Sequence, residues 1–231
     1  KDKLVVNFIT KQYRYGGYVQ ADGLQTIGYD HGDYNVATNY VKGNNSYTVF
    51  AGANYSHVDG TETWNNENYQ FPQSLFDRES YSRNSYRNHQ EYMQFRYQNQ
   101  KGKRYWVGKF TLVNLSTPRN ASSGFARESI ETDVFSNIRK KSLSPKIDLN
   151  ANLPLSKNQT LTLGVHGKYS ANSYHRLYQE QPFEAMTDED EKVLSFQLSA
   201  IYNYFSQKHS LSVELFHYHD VWNADYSGNC E

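Results

Sequence analysis

Apolar and polar residues alternate one by one along most of this chain, most cleanly in its second half. Over residues 146–153, Ile147, Leu149, Ala151 and Leu153 fall on one side, and Lys146, Asp148, Asn150 and Asn152 on the other. Residues 160–170 set Leu161, Leu163, Val165, Gly167 and Tyr169 against Thr160, Thr162, Gly164, His166 and Lys168. Residues 196–204 set Phe196, Leu198, Ala200, Tyr202 and Tyr204 against Gln197, Ser199 and Asn203, with Ile201 the exception, and Leu211, Val213 and Leu215 begin another run. A two-residue period is the mark of a strand with one apolar and one polar face. The first half repeats it around Val36, Ala51, Phe95 and Phe110, with Phe50 breaking a polar face. The runs predict about nine strands in an all-β fold, with no helix beyond one turn at residues 184–186 that Pro182 limits.

The connections sort by length. Short polar turns are expected at residues 42–46, 99–103, 155–159 and 205–209, and long polar loops at 59–84, 116–138 and 176–191. From residue 42 onward short and long alternate; the short connection at 28–33 is the one exception. In an antiparallel up-and-down meander alternate connections emerge at the same end, so short turns share one end and long loops the other. That asymmetry marks a transmembrane β-barrel, with strands of about 12–15 residues running past the 9–11 that cross a bilayer. Aromatics beside the short turns (Tyr40, Tyr47, Tyr97, Tyr105, Tyr204, Phe205) and near the other strand ends (Tyr55, Tyr169, Tyr174) fit interfacial girdles, although aromatics are also good strand residues anywhere.

Composition narrows the classes. Only 37% of residues are hydrophobic but 16% are aromatic, including 21 Tyr, and mean hydropathy is −0.86. Disordered chains are poor in aromatics, so a β-protein with little continuous hydrophobicity is expected. No apolar run approaches the ~20 residues of a membrane-spanning helix. With 24 basic and 24 acidic residues the net charge is zero, and nothing calls for a nucleic-acid partner. One cysteine, Cys230, rules out an internal disulfide framework.

The opening residues Leu4-Val5-Val6-Asn7-Phe8-Ile9-Thr10-Lys11, followed by Tyr15-Gly16-Gly17-Tyr18, resemble the junction between plug domain and first barrel strand in TonB-dependent outer-membrane receptors, where a "GVINIITKK" segment precedes the barrel. The Tyr- and Asn-rich strands that follow are similar to the Bacteroidetes branch of that family. Lys1-Asp2-Lys3 departs from the small, Gly-rich residues usual before the junction. The resemblance implies that residues 1–13 are the C-terminal tail of a plug and residues 14–231 the first part of a large barrel. It further implies a place in the cell outer membrane, lipid around the barrel, TonB acting through the missing plug, a surface lipoprotein as lid in some importers, and a large nutrient as ligand. Such barrels have about 22 strands, so the chain is expected to be a fragment.

Candidate chemistry is sparse. His217 and His219 share a strand face, which could bring two imidazoles to one metal ion or simply mark the strand's exit from the bilayer. The run Asp188-Glu189-Asp190-Glu191 is expected in an outer loop but lacks the Gly-punctuated spacing of a Ca²⁺ loop. No nucleophile elbow, phosphate loop or metalloprotease helix occurs, so neither an enzyme nor a cofactor is expected. The candidate ligand-binding residues are loop aromatics: Trp64, Tyr69, Phe71 and Tyr81 in the first long segment, and Tyr178, beside Phe183, in the third. Beside Asn and Gln they suit stacking on sugar or peptide faces, and equally suit packing the loops on one another. The alternative to an importer is a secreted β-sandwich that binds carbohydrate through the same aromatics.

Overall fold

The computed structural model describes residues 15–28, 30–71, 74–128 and 131–230, with backbone alone at 74–76. The expected plug tail, residues 1–13, lies outside the described residues. Nine strands follow one another: β1 (Tyr15–Gln25), β2 (Asp30–Lys42), β3 (Asn45–Phe71), β4 (Ser74–Lys101), β5 (Arg104–Arg127), β6 (Glu131–Ser156), β7 (Gln159–Glu180), β8 (Phe183–Phe205) and β9 (Ser210–Cys230). They form one sheet in the order β1 to β9, each strand antiparallel to its neighbours in sequence. Backbone pairing runs between consecutive strands alone, and neither a second sheet nor a Greek-key crossover occurs among the described residues. The turns at residues 43–44, 102–103 and 157–158 share one end with residues 206–209. Gly43 and Gly102, at φ 60° and 61°, open two-residue turns of the kind that matches strand twist.

The long polar segments are not loops. They continue the ladders, so that β3 and β4 reach 27 and 28 residues and the outer connections shrink to tight turns, as at residues 181–182. The helical turn expected at 184–186 is absent, and both it and the acidic run 188–191 lie within β8. The backbone ladder is indifferent to hydropathy. A Tyr-, Ser-, Thr- and Asn-rich segment pairs as well as an apolar one but loses its sequence signal when both faces meet water. Register slips by one residue at Gly60 in β3, at Pro118–Arg119 in β5 and, beside a short turn, at Leu155 in β6. The second bulge accommodates a residue with no N–H to give the ladder.

Registered pairing carries the alternation from strand to strand. Val36 sits opposite Ala51, Ala51 opposite Met93, Phe95 opposite Phe110, Phe110 opposite Ile147, Leu149 opposite Val165, and Val165 opposite Leu198. One continuous apolar face results. On β6 to β9 its apolar stretches are residues 143–153, 161–171, 194–204 and 211–221, eleven residues on each strand without one Asp, Glu, Lys or Arg on that face. Beyond them the same face turns polar at Lys141, Ser173, Lys192 and Asn223.

Aromatics border this belt. Tyr40, Tyr47 and Tyr97 stand in one row at the short-turn side, with ring centroids 6.3 and 5.2 Å apart. Tyr34 and Tyr55, 6.4 Å apart, mark the opposite border, and Tyr169 does so on β7. Three expected girdle residues fall on the polar face instead. Tyr105 pairs with Asn152, Phe205 with Ser210, and Tyr174 lies under Lys140, whose Nζ is 5.4 Å from the ring. Proximity to a turn leaves parity open, and one residue of offset reverses the face.

The polar face explains Phe50. Its ring stacks on Tyr92 at 5.2 Å, and Tyr92 crosses Gly52 on β3 to donate its hydroxyl to Asn35 on β2. A Cβ at Gly52 would collide with the Tyr92 phenol, so the glycine makes the bed in which the aromatic lies.

A single layer has almost no interior. The buried apolar side chains among the described residues are Ala121, Ala126 and Ala151. The chain exposes 17285 Å², where a compact chain of its mass would expose about 11,000 Å². The apolar face lies open, with Leu149 44% and Leu215 68% exposed.

Gly52→Ala is expected to displace Tyr92, break its bond to Asn35 and cost about 1–3 kcal/mol, against about 1 kcal/mol for Tyr92→Phe, which removes the hydroxyl alone. Urea unfolding of the folded chain followed by tryptophan fluorescence checks both values.

Candidate binding surface

Beyond the belt β3 to β8 project as a sheet with polar residues on both sides, and the aromatic candidates divide between its faces. Trp64 lies opposite Tyr81, and Tyr81 opposite Phe125, so three rings stand side by side on β3, β4 and β5. They occupy the face that continues the apolar belt, because β4 runs from Tyr97 to Tyr81 with unbroken parity. Trp64 and Tyr81 have centroids 4.6 Å apart, Tyr81 and Phe125 5.8 Å, and Trp64 and Phe125 6.1 Å. Burial beside Trp64 and Phe125 raises the Tyr81 hydroxyl above its ordinary pKa, with Glu62 adding to the effect.

Charged residues rim this cluster. The Arg127 guanidinium lies 5.4 Å from the Phe125 ring, donates from Nε to Glu131 at 3.1 Å, and approaches Glu79 at 3.4 Å. Glu131 holds the Arg127 pKa above its usual value. An open groove of about 710 Å³ runs from Tyr81, Arg83 and Phe125 past Phe135 to Phe183 and Glu184 at the β7–β8 turn. With Trp64 62% exposed, the surface can stack a flat or apolar ring face while carboxylates and guanidinium take hydrogen bonds at its edge. Phe125 is the member that sequence reading passed over. Its signal was an aromatic at matching depth in the next hairpin, legible only with the register.

Tyr178 belongs to the other face. Its ring meets Phe183 edge-on at 6.3 Å, and its hydroxyl donates to Glu180. Glu180 also accepts from Arg78 Nη2 at 3.0 Å, and the Arg78 guanidinium lies 3.9 Å from Glu128. Arg78 and Glu180 stand on strands three intervals apart, about 14 Å at sheet spacing. The two side chains bridge that span beside the β5–β6 connection, where Arg78 also approaches Glu128. Tyr69 and Phe71, 52% and 56% exposed, sit at the far end of β3 and join neither group.

The remaining candidates resolve simply. His217 and His219 share the apolar face, opposite Leu198 and Phe196. Among the described residues no three His, Cys, Asp or Glu side chains converge as a metal site. The acidic run divides by parity: Asp188 pairs with His175 on one face, while Glu191 on the other accepts from Asn172 at 2.8 Å and Trp222 at 3.0 Å. Comparison with protein-family models, with curated proteins and with solved structures gives no match to this chain.

The Glu180 carboxylate, with burial adding to it, holds the Tyr178 phenol above its ordinary pKa. Glu180→Gln is therefore expected to move that pKa down, read as an earlier rise of phenolate absorbance near 295 nm in an alkaline titration. Because the folded pKa is the raised one, this contribution to stability is complete below about pH 10 and fades as pH climbs through the folded value.

Proposed function

We propose that the chain forms part of the barrel of a TonB-dependent outer-membrane receptor that imports a solute too large for general porins. The observation that carries the reading is the belt. Eleven residues per strand is the length that crosses the hydrocarbon layer as a tilted strand, and here four neighbouring strands share it without an Asp, Glu, Lys or Arg on one face, with Tyr169 and Tyr204 at its borders on β7 and β8. The opposite face in the same rows carries Lys109, Asp148, His166, Asn150 and Asn152, a wetted wall rather than a core. Tight turns at one end and sheet projecting far past the belt at the other support an orientation with the projections outside the cell.

In this role the apolar face meets outer-membrane lipid and the polar face lines the lumen. Among the described residues β1 and β9 each have one neighbour, and in lipid their outer edges call for further pairing, since unpaired backbone is not tolerated there. The ligand binds outside, TonB supplies work through a plug domain, and a surface lipoprotein serves as the lid. The role is transport without a catalytic step.

The decisive experiment inserts arginine on each side of the sheet. Leu149→Arg is expected to cost about 2–4 kcal/mol of folding free energy in detergent or lipid, and Asn150→Arg about 0–1 kcal/mol. Equal costs, or a wild-type chain that stays folded and monodisperse in buffer without detergent, would overturn the membrane reading.

A further inference from the structure

Within the belt, the polar face of β4 to β7 is unbalanced. Arg96 on β4 lies directly opposite Lys109 on β5, and one row nearer the projecting end Lys146 on β6 lies directly opposite Lys168 on β7. Like charges placed directly across a ladder repel. One carboxylate stands among them. Asp148 is nearly buried and lies 3.2 Å from Lys109 Nζ, 3.6 Å from Lys146 Nζ and 2.7 Å from His166 Nδ1. Four permanent cations against one anion leave three positive charges, His166 not counted.

Neighbouring strands do not supply the balance. In the same rows β3 presents Thr48 and Phe50, and β8 presents Gln197 and Ser195. The nearest further carboxylate, Asp220, lies two strands from Lys168 across Ser195. The Lys168 ammonium makes no hydrogen bond or ion pair with a described residue, while Thr111, Ser144 and Ser170 offer hydroxyls between and beside the cations. Local rules are expected to break at functional or strained sites, and here Arg96 and Lys168 have no carboxylate partner among the described residues while Lys109 and Lys146 share one.

We propose that this patch is an anion-binding site for a solute carrying two or more carboxylate or phosphate groups, held by Arg96, Lys109, Lys146 and Lys168, with Asp148 spacing the lysines. The four cations spread over four strands, about 14 Å, more than one small anion spans. The inference rests on the importer reading only in calling this face a lumen wall, and it then names the class of cargo.

The test uses inorganic pyrophosphate as probe on the full chain in detergent, with chloride at equal ionic strength as control. Pyrophosphate is expected to slow acylation of Lys146 and Lys168 by an amine-reactive reagent severalfold while leaving Lys192, on the opposite face, unchanged, as read by peptide mass spectrometry. Calorimetric binding of pyrophosphate should vanish in the variant K146Q/K168Q, whose unfolding midpoint should rise because repulsion is removed. Unprotected lysines, protection matched by chloride, or binding retained in the double variant overturns the site. Labelling of the unsubstituted chain decides by itself if the variant does not fold. Lysines already shielded in native membranes without pyrophosphate would show protein carboxylates covering the patch, and overturn the solute as its partner. Solubility without detergent defeats the membrane reading separately, since lysine protection can be read in either medium.

Discussion

Everything in this structure depends on the pleat being kept in step. In a strand each side chain points opposite to its neighbours, so a sheet has two chemically distinct faces only if every strand enters with the right parity. Nine strands hold that condition because tight turns pin each register at one end. The bulges at Gly60 and Pro118–Arg119 fall outside the belt, where both faces are polar and a reversal of parity buries nothing wrongly. Within the belt the ladder β4 to β5 runs without a slip from His89 to Lys101.

Stability follows from the faces rather than from a core. Three buried alanines cannot hold a chain of this size, and an apolar face open across nine strands needs a cover of the same breadth. Lipid provides such a cover without specific contacts, which fits a belt varied in shape, from Gly167 to Phe196, but uniform in lacking charge. The polar face is built in the reverse manner. It is held by particular pairs: Tyr92 over Gly52 to Asn35, Asp148 among Lys109, Lys146 and His166, and Arg78 reaching Glu180. Each ties strands by a directional bond, and the longest of them joins β4 to β7.

The projecting part obeys a third logic. Without an apolar side to bury, its hairpins rest on backbone ladders and on small side-chain clusters such as Trp64, Tyr81 and Phe125 with Arg127 and its two carboxylates. Of the aromatics that sequence reading took as ligand-gripping or loop-packing, Trp64 packs on Tyr81 and Tyr178 on Phe183, and the Trp64 indole is left open beside Tyr81 and Phe125, which line the groove. Tyr178 stands apart on the opposite face because β7 presents it with even parity, beside Glu180 and Phe183.

By itself the sequence determined the all-β class, the nine strands, their neighbour-to-neighbour order and the two faces of the second half, because a two-residue period and Gly- or Asn-bearing turns are local properties. It left the length of β3 to β8 open, since polar residues paired in water look like loop residues when only hydropathy is read. It also left open which aromatics share a face. Tyr105 and Trp106 are adjacent in the chain yet point to opposite sides, and Phe125 meets Trp64 across 61 residues of sequence. Those decisions belong to register, a relation between distant segments that exists only once the strands are paired. The opposition of Arg96 to Lys109 and of Lys146 to Lys168 was decided there too, since pairing alone sets which charges must face each other.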